Sequence, residues 1–301
     1  MNFKLPIILA LLTTVPLYFL LPSSTISDEL LSSHLHDKVV LLTGADCGVG
    51  EELAYQVAGL GAKLVLVGES PERLNRIREG VISRGTPEID ILAILFDFTE
   101  VNITEEIVKQ AINKFGGLDY LVLNHNVKTP GPFLSLSYLQ NPDFIEQVFT
   151  VNLFSHIQLT LHALPYLEKR RGHMFLSSAL SGEIPLYGTS STLHSSSIHG
   201  LNGFFYSLQQ ELIARDSPAG ITVGTFGFVW TRELSVIYAE GNPKPDWVTG
   251  SEKDAARRVL EAYVTRPQAV TFPKFAGIVH RMLSYFFPQS LKSLRITQDS
   301  F

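Results

Sequence analysis

The sequence predicts one α/β domain: a doubly wound, seven-stranded parallel sheet flanked by helices, preceded by an N-terminal hydrophobic anchor. Two observations predict the sheet. From residue 38 onward, short apolar runs alternate with longer helical stretches. A glycine-rich turn also joins the first run to the first helix. A third observation, the apolar segment Leu5 to Leu21, predicts the anchor.

The elements follow in order. The segments at 38–43, 63–68, 89–96, 118–124, 173–178, 221–226 and 269–272 are short and apolar, as buried strands are. Between them, helical stretches lie near 48–60, 71–84, 103–115, 143–168, 191–215 and 252–263. Glycines such as Gly59, Gly85, Gly116 and Gly172 fall at or just after helix ends, where helices stop. The domain is expected over residues 36–272, with no internal repeat. Residues 273–301 form an apolar, aromatic tail with scattered Lys and Arg. Its readings are a packed C-terminal helix, a homodimer contact or a membrane-surface segment.

With 301 residues, 45% hydrophobic and 18% charged, the chain has enough apolar material for one sizeable core. A net charge of −5 and the lack of any long basic run argue against nucleic acid as a partner. The single cysteine, Cys47, excludes an intrachain disulfide and a cysteine-based metal site, and no metal is expected.

Residues 1–27 read as a signal-anchor or a signal peptide. Lys4 precedes the apolar run and Asp28 and Glu29 follow it, which favours a cytoplasmic N-terminus and a luminal domain. No small-x-small cleavage site is clean; Ser23-Ser24-Thr25 and Thr25-Ile26-Ser27 are candidates. Both an uncleaved anchor and a cleaved, secreted form therefore stand. Asn102-Ile103-Thr104 is an N-glycosylation sequon.

The stretch Thr43-Gly44-Ala45-Asp46-Cys47-Gly48-Val49-Gly50 follows the first strand and opens the first helix. Gly44 permits the tight turn, Gly48 lets the backbone approach a pyrophosphate, and Gly50 lets helix and sheet pack closely. The helix N-terminus then favours phosphate charge. This is a Rossmann-type dinucleotide site, and a dinucleotide is the expected partner.

The TGxxxGxG spacing resembles the short-chain dehydrogenase/reductases, over about residues 36–265. Further matches fall in the order of that family. Asp97 follows the third strand, where the family's acid faces adenine. Asn124 stands in Leu123-Asn124-His125-Asn126, after strand four. Asn152 is the helix asparagine. Ser178 ends strand five, and Val229 and Thr231 stand in the loop after strand six. Gly116-Gly117-Leu118-Asp119-Tyr120, the Ala163-Leu164-Pro165 turn and Leu201-Asn202-Gly203-Phe204-Phe205 resemble the 11-beta-hydroxysteroid dehydrogenase type 1 group, and Gly48 to Tyr55 its type 1-like branch. The resemblance implies an oxidoreductase acting on a steroid or other lipid alcohol or ketone, at the endoplasmic reticulum membrane with a luminal domain, or secreted.

Two cofactors stay open. The family favours NADP, whose members usually place basic residues inside the glycine motif and after strand two. Here those positions read Cys47 and Glu69, with Asp46 adjacent. Negative charge there repels a 2′-phosphate and leans toward NAD, with Glu69 accepting from a ribose hydroxyl. The plainer reading of Glu69 is a solvated residue at a strand end.

The implied chemistry is hydride transfer, with a tyrosine as acid and a lysine four residues on that lowers its pKa and holds the nicotinamide ribose. Here the positions read His194 and Ile198, and no tyrosine in the chain has lysine four residues later. Ser178 and Asn152 are candidates for orienting the substrate oxygen and supporting a water relay, and Ser181 is the rival of Ser178. His194 has a default pKa near neutrality and a shorter reach than tyrosine. Two readings follow: an enzyme with a histidine acid, or a non-catalytic module that binds nucleotide, lipid or protein.

Overall fold

The structure, a computed structural model, describes residues 26–46, 48–101, 104–127, 143–183, 192–231 and 249–273; of Phe228, Trp230 and Thr249 it gives the backbone alone. The expected anchor, Cys47, the Asn102 sequon and the tail from residue 274 lie outside the described residues. Among the described residues no helix is long and apolar enough to cross a membrane.

In chain order the elements are α1 (Asp28–Leu35), β1 (Val39–Thr43), α2 (Gly48–Gly59), β2 (Lys63–Gly68), α3 (Pro71–Ser83), β3 (Ile91–Leu95), α4 (Thr104–Phe115), β4 (Tyr120–Leu123), α5 (Asp143–Phe149), α6 (Ser155–Arg170), β5 (His173–Ala179), α7 (Thr192–Ala214), β6 (Gly220–Phe226), β7 (Phe228–Trp230), β8 (Thr249–Ser251), α8 (Glu252–Thr265) and β9 (Ala269–Phe272). Seven strands form one sheet in the order β3-β2-β1-β4-β5-β6-β9, every pair parallel. The expected doubly wound sheet is therefore present. A short parallel pair, β7 with β8, adds a second sheet that the apolar pattern did not announce.

The central strands β1 and β4 are apolar and fully buried because helices cover both faces of the sheet there, while the edge strands β3 and β9 are only partly buried. In β1, Val39 and Leu41 enter one core with Ile107, Leu159, Ile198 and Leu201 of the helices on that side. Val40 and Leu42 enter the other, with Leu53, Ile77, Val259 and Leu31. A change of one residue in register would exchange the two sets.

Helix α1 is an unannounced element. Ser27 caps it, its side chain accepting from Leu30 N at 3.3 Å. Leu31 and Leu35 are fully buried against the sheet. Glu261 on α8 accepts from Ile26 N at 3.3 Å, and Arg257 binds both the Asp28 carboxylate and the Ile26 carbonyl. The folded unit thus reaches back to Ile26, and α8 holds it there.

Strand order reverses between β1 and β4: the chain builds outward to β3, then returns to the other side of β1. The crevice beyond the carboxyl ends of these two strands is where doubly wound sheets take ligands.

Candidate functional site

The glycine turn sits at that crevice, pinned by Thr43 at the end of β1. Its hydroxyl donates to Val122 O at 3.3 Å and accepts from Asn124 N at 3.0 Å. Asn124 Nδ2 in turn donates to Gly44 O at 3.2 Å. Gly44 has φ +60°, and a Cβ there would lie 2.9 Å from His125 Cα. At Gly50 a Cβ would lie 2.0 Å from Gly44 O. Both positions therefore exclude any side chain against backbone that cannot yield. The turn leads into α2, which begins at Gly48, and a helix N-terminus favours anionic charge.

Behind the turn lies a column of rings. His125 stacks on Phe98, with centroids 3.7 Å apart, and on His156, at 3.9 Å. Its Nδ1 meets Thr43 Oγ1 and its Nε2 meets Ser155 Oγ, each at 2.7 Å. Burial, with His156 adding, pushes the His125 pKa well below the ordinary histidine value, so the ring is neutral. Burial takes His156 down to about 3, although its bond to Val151 O opposes the shift.

The edge beside β2 and β3 is acidic. A cavity of about 590 Å³ is lined by Glu69, Phe96, Asp97, Thr99, Val127 and Val151, among others. Asp97 accepts from Thr99 N at 2.9 Å and from Thr99 Oγ1 at 2.7 Å. Glu69 accepts from Phe98 N at 3.4 Å. Burial raises the Glu69 pKa, the Phe98 bond opposes that, and the Asp97 and Asp46 carboxylates add to the rise. Asp46 is buried and turned toward β2, where its Oδ2 accepts from Glu69 N at 3.2 Å and Ser70 N at 3.0 Å.

At the other end of the crevice the candidate catalytic residues hold one another. Asn152 lies in a wider, π-type turn, Thr150–Phe154, between α5 and α6. Its Oδ1 accepts from Val127 N at 2.7 Å, and its Nδ2 donates to Val127 O at 3.1 Å and Ser197 Oγ at 3.0 Å. Ser197 Oγ donates to the His194 carbonyl at 2.8 Å. Ser178 is buried and donates to Asn202 Oδ1 at 2.6 Å, while Asn202 Nδ2 donates to Gly182 O at 3.0 Å. The rival Ser181 is fully buried, and its hydroxyl finds no partner among the described residues.

His194 itself is partly exposed on the first turn of α7. Ile198, one turn on, is only 3% exposed and belongs to the core. A Cβ at Gly182 would meet Ile198 Cγ2 at 2.3 Å, so hydrocarbon fills this position up to the loop after β5. His199 is exposed and its Nδ1 meets Ser195 O of its own helix at 2.8 Å. Val229 is buried in β7, whose backbone pairs with Gly250, and Thr231 follows just beyond.

With this geometry, comparison with known proteins is decisive for the family. The model for the short chain dehydrogenases matches residues 38–228. The chain belongs to the short-chain dehydrogenase/reductase family. Within it the similarity is to the hydroxysteroid 11-beta-dehydrogenase 1-like group. The protein of that name from Xenopus tropicalis is 33% identical over 256 residues, 83% of each chain. That from Danio rerio is 35% identical over 237 residues, 78% of each. In shape the chain is similar to a short chain dehydrogenase/reductase from Burkholderia phymatum, solved in complex with NAD. The TM-score is 0.70 and the identity 19%, covering 83% of this chain and 94% of that one.

As a short-chain dehydrogenase/reductase, the chain carries partners that motif spacing did not expose: Ser197, Asn202, Ser155 and His156. For Asn202 a signal existed. It is a polar residue on the apolar face that carries Ile198, Leu201 and Phe205. His156 has no comparable signal, because its contact with His125 is made only once β4 and α6 pack.

The buried imidazoles predict an acid sensitivity. His125, His156 and His173 all lie below the ordinary value of 6.5, the last at about 3, mainly through burial. Below pH 6.5 the unfolded chain gains protons that the native chain refuses, so stability is full above that pH and falls as pH drops. Each such group contributes a slope of about 1.4 kcal/mol per pH unit in that range. Urea unfolding of His156→Leu between pH 5.5 and 4.5 is expected to show a slope shallower by roughly that amount; an unchanged slope contradicts a neutral buried His156.

Proposed function

We propose that this chain binds a nicotinamide dinucleotide, with NAD favoured over NADP, and lacks the proton-delivering half of the family's active site. The observation that carries the binding is the cradle itself. Gly44 and Gly50 leave no room for a Cβ, and α2 begins between them at Gly48, its N-terminus favouring anionic charge. Gly44, Gly48, Val49 and Gly50 would hold the pyrophosphate, Glu69 a ribose hydroxyl, and Asp97 would face adenine across the cavity. Asn124 shapes the floor by holding Gly44 O. A bound nicotinamide would supply hydride-transfer chemistry.

The residues for proton delivery are turned to other uses. Ile198 is core, so the lysine's two roles, lowering the acid's pKa and holding the ribose, have no counterpart there. The hydroxyl of Ser178 is committed to Asn202, and the amide of Asn152 to Val127 and Ser197. Loss of a general acid costs about 10² to 10⁴ in rate, so the module reading, a dinucleotide-binding protein with little or no turnover, follows. One observation favours the second reading, an oxidoreductase of a steroid or other lipid alcohol: His194 keeps partial exposure at the tyrosine's position.

The binding test is calorimetric titration of the full chain in detergent with NAD, NADH, NADP and NADPH. The expected result is saturable binding, tightest for the NAD pair, and its loss in Gly50→Ala, whose new methyl would strike Gly44 O. Equal binding by Gly50→Ala contradicts the placement of the pyrophosphate. For localisation we propose the endoplasmic reticulum membrane, held through Leu5 to Leu21 with the domain in the lumen, the secreted form being the alternative; the charge asymmetry about that segment supports this. Alkaline extraction of microsomes is expected to leave the chain in the pellet, and release into the supernatant contradicts an anchor.

A further inference from the structure

The β2–α3 junction carries three groups of the kind that bind an anion, and the chain's own carboxylate already holds them. The main-chain N–H groups of Glu69 and Ser70 both point at Asp46 Oδ2, at 3.2 and 3.0 Å. The Arg73 guanidinium stands 3.6 Å from the same oxygen. Asp46 is only 5% exposed, and Gly68 makes room for it, since a Cβ there would come within 2.7 Å of its carboxyl carbon. The junction lies beside the cavity formed by Glu69 and Asp97. In dinucleotide folds an acid about twenty residues after the glycine motif binds the ribose 2′-hydroxyl, and a nearby arginine takes the 2′-phosphate of NADP. Glu69 and Arg73 occupy those places in this chain.

We infer that Asp46 is an internal occupant of the 2′-phosphate position and sets the cofactor choice of this chain by pre-occupation. Its carboxylate takes the two main-chain donors and the arginine that a ribose phosphate would need. A phosphate arriving there meets a buried negative charge, with Glu69 and Asp97 beside it; the two main-chain donors are already taken, and the Arg73 guanidinium is already paired in charge with Asp46. A ribose bearing only hydroxyls needs none of them. Asp46 is thereby a specificity-determining residue that need not touch NAD itself. Arg73 is the counter-ion of Asp46.

This inference rests on the dinucleotide reading, and the test separates the two. The probes are ADP-ribose and 2′-phospho-ADP-ribose, which differ only in the phosphate, titrated by calorimetry into the full chain in detergent. The wild type is expected to prefer ADP-ribose by about tenfold or more, the scale of one charge-assisted contact. Asp46→Ser, which withdraws the carboxylate, is expected to narrow or invert that ratio, and Asp46→Ser with Arg73→Ala to lose the gain. Asp46→Asn keeps an acceptor for the two N–H groups without the charge; it is expected to narrow the ratio less, and it carries the test should the serine variant not fold. An unchanged ratio in folded variants that bind both probes overturns the role of Asp46 and leaves the dinucleotide reading standing. Binding of neither probe by the wild type overturns that reading, and this inference with it.

Discussion

The hydroxyl of Thr43 joins the ends of β1 and β4, the two strands between which the sheet reverses. It donates into β4 at Val122 O, accepts from Asn124 N, and meets the ring of His125. A buried hydroxyl that lost these partners would cost about 1–3 kcal/mol, so the ends of the two strands are fixed relative to each other. The Gly44 turn hangs between them and is closed by Asn124. Everything on the nucleotide side follows from this tie: the crevice, the entry angle of α2 and the contact of Gly50 with Gly44 O. The ring column of Phe98, His125 and His156 buttresses it from behind with neutral side chains.

The opposite side of the crevice obeys a different constraint. Helix α7 is drawn onto the sheet by Ile198, Leu201 and Phe205, and Ser178–Asn202–Gly182 then locks it to the loop after β5. A lysine ammonium at position 198 would have to leave water for a hydrocarbon pocket, a cost of several kcal/mol. Ile198 thus fills with hydrocarbon the place where the resemblance expects a lysine. Ser178 and Asn202 tie α7 to β5 and to the loop that follows it.

Much of this was legible in the sequence because it depends on local pattern. Runs such as Val39-Val40-Leu41-Leu42 are apolar at every position only if both faces are covered, and the sheet shows both faces covered. The glycine motif and the substitution at His194 and Ile198 could be read from spacing alone. Contacts set by packing could not. That Ser178 turns to Asn202 depends on how β5 and α7 meet, and that Asp46 reaches Ser70 depends on β2 lying beside β1. Helix α1 escaped notice because eight residues with few apolar positions carry little periodicity, although its Leu31 and Leu35 are fully buried.

A nucleotide cradle kept without proton delivery, as proposed for this chain, would bind NADH without passing on its hydride. The most direct measurement is single-turnover hydride transfer with 4-deuterated NADH and a panel of steroid ketones, comparing wild type with His194→Phe. The expected result is no deuterium in the steroid from either protein, despite saturable binding of NADH. Deuterated product from the wild type that disappears in His194→Phe would contradict the claim and make His194 the acid of a working reductase.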